Sequence, residues 1–427
     1  MANNSRISRI FGAVNIGSFR VSAMIAGFTE TGEMVVLGSG HREAKGIKRG
    51  YVTDMNAATH AVREAVEKAE KLAGTSVSSV WRGCSGAGLT SKIAQVEIDI
   101  GGRRIEEDDI EHLLVAARDG IEPDGRMILH AQPAHYTLDG AHGVSNPKGL
   151  HAERLAVDVH VMLADGAPIR NITEAVQSAH LDVEAVVASP IATGHACLRQ
   201  EERELGVALI ELGGEVTNVS VYAGGMLLGM AAIPLGSNDI TDAIASHFGI
   251  KRFQAERLKC VAGSAIASPS DHREMIAVVG PADDAAPSNA LHADDKNQIP
   301  RSELVSVITG QLDRLVGEIS KALKSMGFAG QNGRQVVLTG GGAELAGIAD
   351  YAQGALGRPV RVGKPPELSG LPEAHAVPGF STLAGLIIYA VADPVDIRSV
   401  GSAYTDTTSP GGLVAVRRVF RALKEYF

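Results

Sequence analysis

Two stretches of the chain share one pattern of apolar and polar positions. Phe11-Gly-Ala-Val-Asn15-Ile-Gly17-Ser18-Phe-Arg20-Val-Ser-Ala-Met-Ile25 reads strand, glycine turn, strand. Val207-Ala-Leu-Ile-Glu211-Leu-Gly213-Gly214-Glu215-Val-Thr217-Asn218-Val-Ser-Val221 reads the same way. Each turn has a polar residue two positions ahead of its glycine, at 15 and 211, so the hairpins lie 196 positions apart. Such spacing predicts a duplicated α/β unit. Residues 56–72 carry apolar positions at helical spacing and stop at Gly74. From 91 to 165 the pattern changes to alternating strands around an acidic helix near 105–117, an insertion with its own core. That helix opens on Glu106, Glu107, Asp108 and Asp109, which suits the positive end of a helix dipole and marks a first-turn cap. Residues 264–300 are poor in large apolar side chains, rich in Ala, Ser, Asp and Pro, and read as a mobile surface loop. A long amphipathic helix is predicted over 304–326, then a buried strand running into the glycine turn Gly340-Gly341-Gly342.

The C-terminus has a different pattern. Residues 393–412 are small and polar, close on Ser409-Pro410-Gly411-Gly412, and read as a flexible linker. Beyond them, Leu413, Ala415, Val416, Val419, Phe420, Ala422, Leu423, Tyr426 and Phe427 fall on one half of a helical wheel. Arg417, Arg418, Arg421, Lys424 and Glu425 fall on the other half, and only Val414 is misplaced. These fifteen residues carry +3, against −12 for the rest of a chain whose formal net charge is −9. At 1.5 Å per residue the helix is about 22 Å long, too short for a bilayer core of about 30 Å. It is suited instead to lie in the headgroup region of an anionic surface. Val416, Phe420, Leu423 and Phe427 would face the acyl chains, and Arg417, Arg418, Arg421 and Lys424 the lipid phosphates. The alternative is a helix docked on the protein's own surface, which would not need a long polar linker before it. No apolar run is long enough to span a membrane, and the polar, basic first eleven residues do not read as a signal peptide.

A chain of 427 residues exceeds one ordinary core, so two lobes are expected. The net charge of −9 argues against nucleic acid as a main partner. Cys84, Cys197 and Cys260 have no metal-ligand spacing and fit a reducing cytosol. His130, His135, His142 and His151 read as ordinary strand or surface residues, and Cys84 as a packed thiol. Neither a metal site nor a catalytic residue is expected.

Glycine turns matter chemically because their unshielded backbone N–H groups can point at phosphate oxygens. Two such hairpins facing across a cleft could hold a triphosphate, and a third turn could lie against a nucleoside. Any one glycine turn alone is more often structural. Their order, however, resembles the signature of the actin, Hsp70 and sugar-kinase superfamily. In that comparison 15–20 and 211–218 match the two phosphate loops, and 337–342 the adenosine loop. Ser189-Pro190-Ile191-Ala192 and 378–385 match two connecting helices at the hinge between lobes. Phe253-Gln254-Ala255-Glu256-Arg257-Leu258-Lys259 matches a segment whose Glu and Lys approach the nucleotide.

Further segments, 201–207 (EERELGV) and Asn146-Pro147-Lys148-Gly149-Leu150, resemble the FtsA family of bacterial actin-like division proteins. That resemblance implies a two-lobed α/β, actin-like (ribonuclease H-like) fold. Its implied parts are 1–84 (start of subdomain 1A), 85–165 (an inserted, SHS2-like 1C) and 166–200 (return to 1A with a connecting helix). There follow 201–234 (start of 2A), 235–300 (2B), 301–370 (rest of 2A), 371–392 (second connecting helix), the 393–412 linker and a membrane-targeting helix over 413–427. It implies ATP, with magnesium, at Gly17, Ser18, Arg20, Gly213, Gly214, Thr217, Glu256, Lys259, Gly340, Gly341 and Gly342. It also implies self-association into filaments, a peripheral place on the inner face of the bacterial cytoplasmic membrane at the division site, and recruitment of later division proteins. The C-terminal peptide of FtsZ would dock near Arg301. The superfamily usually has Asp where this chain has Asn15 and Asn218, and Asp-x-Gly-Gly-Gly-Thr where it has 211–216. Amides cannot act as general bases, so slow or absent hydrolysis is expected. The alternatives are a PilM-like adaptor of pilus assembly and a cytosolic actin-fold ATPase or kinase. Neither would need the terminal amphipathic helix.

Overall fold

The computed structural model describes residues 7–86, 88–278, 298–328 and 334–400. The chain opens with an antiparallel meander, β1 (Ile7–Ile16), β2 (Arg20–Thr29) and β3 (Met34–Glu43). A short hairpin, β4 (Ile47–Lys48) and β5 (Tyr51–Val52), leads into α1 (Met55–Ala73). The Asp54 carboxylate caps this helix by accepting the Ala57 N–H, and Gly74 ends it at φ 67°. Strand β6 (Ser79–Cys84) then runs parallel to β1.

The insertion follows as β7 (Thr90–Asp99), α2 (Glu107–Gly120), β8 (Met127–Leu138), β9 (Ala141–Val144) and β10 (Arg154–Ala164). Its acidic first turn does cap the helix: Asp109 accepts the Glu106 N–H and pairs with Arg103. Helix α3 (Gly166–Gln177) and strand β11 (Asp182–Ala188) complete the first lobe, and α4 (Ser189–Cys197) crosses to the second.

The second lobe repeats the plan. After α5 (Gln200–Leu205) come β12 (Val207–Leu212), β13 (Thr217–Ala223) and β14 (Met226–Ile233), again an antiparallel meander. Helices α6 (Ser237–Phe248) and α7 (Arg252–Ala262), a small pair β15 (Met275–Ala277) and β16 (Gln298–Pro300), and α8 (Arg301–Ser325) follow. Strand β17 (Gln335–Thr339) runs parallel to β12, and α9 (Ile348–Leu356), β18 (Val360–Val362) and α10 (Ser381–Ala392) close the fold.

The first sheet has the order β11-β6-β1-β2-β3, and the second contains β18-β17-β12-β13-β14, the same arrangement. Register agrees as well: Asn15 pairs with Ser22, and Glu211 with Asn218. The insertion has its own core around Leu113, Leu155 and Val157, yet its strands are not a separate sheet. Ala231 of β14 pairs with Thr90 of β7, so nine strands form one continuous sheet ending β7-β10-β8-β9. Helices α4 and α10 cross between the lobes, where a Cβ on Gly385 would lie 1.9 Å from the Ala192 carbonyl oxygen.

Two expectations about loops need correction. The 393–412 linker does not begin at 393, because 393–400 is docked on the insertion. Ile397 is fully buried in the insertion's core, the Asp396 carboxylate accepts the Ala131 N–H, and Arg118 reaches the Val400 carbonyl. Within 264–300, the described part contains the β15–β16 pair, held by Arg301 through Asp271 at 2.6 Å. Residues 279–297 lie outside the described residues, as does the amphipathic 413–427 segment. Among the described residues no helix is long and apolar enough to cross a membrane.

Candidate functional site

Pairing of β12 with β17 sets the 213–216 turn beside the 340–342 turn, and the facing lobes bring the 17–20 turn to the same cavity. A cavity of about 390 Å³ lies between the lobes, lined by Gly17, Ser18, Arg20, Gly213, Gly214, Glu256, Lys259, Gly340, Gly341 and Gly342. All are positions singled out from the sequence. Thr217 is the exception: its side chain is buried and its hydroxyl donates to the Leu235 carbonyl at 2.8 Å, away from the cavity. Lining residues outside that group include Asn15, Phe19, Ser85, Glu211, Glu215, Ile240, Cys260, Glu344, Leu345 and Thr382.

The two hairpin turns close in the same way. Gly17 N–H donates to Arg20 O at 3.1 Å, and Gly213 N–H to Val216 O at 3.0 Å. The Gly17 and Gly213 amides are therefore engaged within their own turns. At the third turn Gly340 has φ 84°, and a Cβ there would meet the Leu212 carbonyl oxygen at 2.6 Å. Packing against β12, not a ligand, thus requires that glycine. A Cβ on Gly341, by contrast, would have nothing within 4 Å among the described residues.

The cations of the cavity are likewise engaged. Arg20 donates from Nη2 to Gly379 O at 3.0 Å and lies 4.0 Å from the centre of the Phe380 ring. Burial lowers its pKa, and Glu344 partly offsets this. Arg20 therefore braces the turn before α10. Lys259 donates to Thr241 Oγ1 at 2.7 Å and Ser237 O at 3.0 Å, and pairs with Glu256 at 2.8 Å. An ammonium has three donors, and these three partners account for all of them. Burial acts to raise the Glu256 pKa, but the charge and hydrogen bond of Lys259 and the Thr241 hydroxyl hold it low.

The carboxylates of the second turn are held by neutral groups. Glu211 accepts from the Thr382 hydroxyl and, at 2.9 Å, from Asn218 Nδ2; burial raises its pKa. Asn218 also donates to Ser85 Oγ at 2.9 Å, and among the described residues its buried Oδ1 has no hydrogen-bond partner. Glu215 reaches across the cleft, where its Oε2 accepts the Arg49 N–H at 2.7 Å. Arg49 in turn lies 3.7 Å from Asp239 of the second lobe. Among the described residues no group of three or more His, Cys, Asp or Glu could hold a metal ion.

Other sequence candidates lie elsewhere. The Arg301 guanidinium is engaged with Asp271 and the Ala262 carbonyl, which ties the start of α8 to the end of α7 and to the segment before β15. Cys84 is packed, and its thiol is pushed up to about 11 by burial. His130 is a buried strand residue accepting the Ala188 N–H. Val416, Arg417, Arg418, Phe420, Arg421, Leu423, Lys424 and Phe427 fall outside the described residues. No local pattern marks the cross-cleft bond of Glu215 or the roles of Thr382 and Ser85, although Thr382 lies inside the 378–385 hinge segment.

Comparison with known proteins fits this architecture. Residues 208–385 match the family described as cell division protein FtsA, and 86–163 match the SHS2 domain inserted in FtsA. The cell division protein FtsA of Agrobacterium fabrum (strain C58) is 34% identical over 99% of this chain and 96% of its own length. The chain belongs to the FtsA family. It is thus similar throughout its length to bacterial cell division proteins, with an actin-like fold. Among solved structures, the PilM–PilN type IV pilus biogenesis complex matches with a TM-score of 0.62 at 17% identity, over 89% of this chain and 98% of that one. MreB 5 of Spiroplasma citri bound to AMPPNP matches with a TM-score of 0.51 at 12% identity, over 91% and 98%. At such identities these two structures speak for the fold alone.

Proposed function

We propose that this chain is a scaffold of cell division that holds an FtsZ ring at the inner face of the bacterial cytoplasmic membrane. What carries the reading is the full-length likeness to FtsA proteins together with the amphipathic pattern of 413–427. Copies of the chain polymerise as an actin-like filament, the second lobe binds the FtsZ C-terminal peptide, and later division proteins are recruited to the assembly. The terminal helix anchors it peripherally, apolar face in the lipid and bases toward anionic headgroups. The cleft takes a ligand of the nucleotide class that joins the lobes and is not turned over. No carboxylate stands at 15 or 218 to take a proton from water, so general-base help worth about 10²–10⁴-fold is missing.

The test has two arms. A fluorescent fusion should localise to the division site together with FtsZ, and uniform cytosolic fluorescence would refute the scaffold reading. Deleting 413–427 should abolish co-sedimentation with anionic vesicles while leaving the fold intact. Charge reversal at Arg417, Arg418 and Arg421 should weaken vesicle binding by about 1 kcal/mol per base. Unchanged co-sedimentation of the truncated chain would remove the anchor.

A further inference from the structure

We propose that the cleft selects a nucleoside or nucleoside monophosphate over a nucleoside triphosphate, and that Glu215 sets this choice. The proposal rests on reading the cleft as a site of the nucleotide class. Its two ends differ in what they can accommodate. At the glycine turn of 340–342, Gly341 is open, and Ile240, Leu345 and Ala346 supply apolar surface for a base. That end fits a nucleoside.

The other end does not fit a triphosphate with its metal. Gly17 and Gly213 have their amides engaged within the turns. The turns also stand against each other: a Cβ on Gly214 would be 3.1 Å from Phe19 Cβ and 3.4 Å from Phe19 N. A polyphosphate between them would have to push the turns apart.

Charge points the same way. Glu211, Glu215, Glu256 and Glu344 line the cavity against Arg20 and Lys259, a formal −2. Lys259 already faces Glu256, and Arg20 is fixed on Gly379 and Phe380. A terminal phosphate carries about −1.5 to −2 at pH 7, and every further phosphate adds negative charge. Magnesium would ordinarily offset that charge through carboxylate ligands, whereas Asn15 and Asn218 offer neutral amides. The lining carboxylates Glu211, Glu215, Glu256 and Glu344 are already engaged with Thr382 and Asn218, the Arg49 N–H, Lys259 and the Gly379 N–H, respectively. Glu215 is itself an anion bound to a backbone N–H across the cleft, an arrangement that a phosphate would otherwise make. A carboxylate in that place disfavours a second anion more strongly with each phosphate added.

A merely structural Glu215 would tie the lobes together without ranking ligands by charge. The experiment therefore uses the full-length chain and two variants. Glu215→Gln keeps an oxygen that can accept the Arg49 N–H but removes the charge; Glu215→Gly removes both. Adenosine, AMP, ADP, ATP and ATP with magnesium are titrated calorimetrically at one ionic strength. In the wild type, AMP should bind about 10-fold or more tightly than ATP, with or without magnesium, since each tenfold corresponds to one close like-charge contact of modest strength. Glu215→Gln should move the ATP-to-AMP affinity ratio toward ATP by about 10-fold, and Glu215→Gly by at least as much. ATP binding as tightly as AMP in the wild type, or an unchanged ratio in both variants, overturns the proposal and leaves the nucleotide reading standing. If none of the probes binds, the nucleotide reading itself fails and the proposal falls with it.

Discussion

The hairpin turns at 17–20 and 213–216 share strand order, register and the same N–H to carbonyl closure, and differ almost entirely in side chains. In the first lobe, Asn15 precedes the turn, and Phe19 and Arg20 end it. In the second, Glu211 precedes it, and Glu215 and Val216 end it. Backbone hydrogen bonding and a missing Cβ are sufficient to make the turn. Nothing in that geometry dictates which charge the turn presents. Duplication of a fold therefore conserves the cleft's shape while leaving its electrostatics free to diverge.

The largest difference between the turns should be steric. A Cβ on Gly213 would lie 2.4 Å from the Val216 carbonyl oxygen, whereas one on Gly17 would lie 3.1 Å from that of Arg20. Gly213→Ala should thus destabilise by about 1–3 kcal/mol, and Gly17→Ala by less than about 1 kcal/mol. Urea unfolding of both variants checks this, and equal costs would mean that the turns are less distinct than they look.

The next difference is electrostatic. Burial raises the Glu211 pKa from its ordinary value of 4.5, whereas its counterpart Asn15 does not titrate. The folded state holds that proton more tightly than the unfolded chain does. Stability from this group is therefore complete below about 4.5 and is lost as pH rises through the folded pKa. Glu211→Gln should flatten the thermal stability profile above pH 4.5, with its gain growing toward neutrality. A variant whose profile parallels the wild type would show that Glu211 does not set it.

The smallest effect should come from a partner that only the second turn has. Ser85→Ala removes the hydroxyl that accepts from Asn218 Nδ2. The loss should be about 0.5–1.5 kcal/mol in a denaturation midpoint, because Asn218 keeps its bond to Glu211. A cost well above that would indicate a network wider than these three residues.

Much of this architecture was legible beforehand because it depends on local patterns. Hairpins, glycine turns and the helices starting near 55 and 301 follow from residue types within a few positions of one another. So did the meeting of three turns at one cavity, through their order along the chain. What was illegible depends on distant partners. Arg20 ends on Gly379 and Phe380, more than 350 positions away, and no local pattern says that the cation is already engaged. The docking of 393–400 is hidden in the sequence for the opposite reason. Its composition is that of a linker, and what holds it is Ile397 inserted in a distant core together with hydrogen bonds to Ala131 and Arg118, far away in sequence. The continuous nine-strand sheet depends on a single residue pair, Ala231 with Thr90, which periodicity cannot indicate.

That docked stretch has a mechanical meaning. If the terminal helix is the anchor, its leash is shorter than the linker composition suggests. From residue 401 to 412 the chain can extend to about 43 Å at most, against about 72 Å had the leash begun at 393. The leash also starts from the insertion instead of the hinge. A pull from the membrane would enter through the Asp396–Ile397 strap, load β8 and cross β10 and β7 into β14. The insertion would then act as the clevis through which tension reaches the second lobe, bypassing the hinge helices.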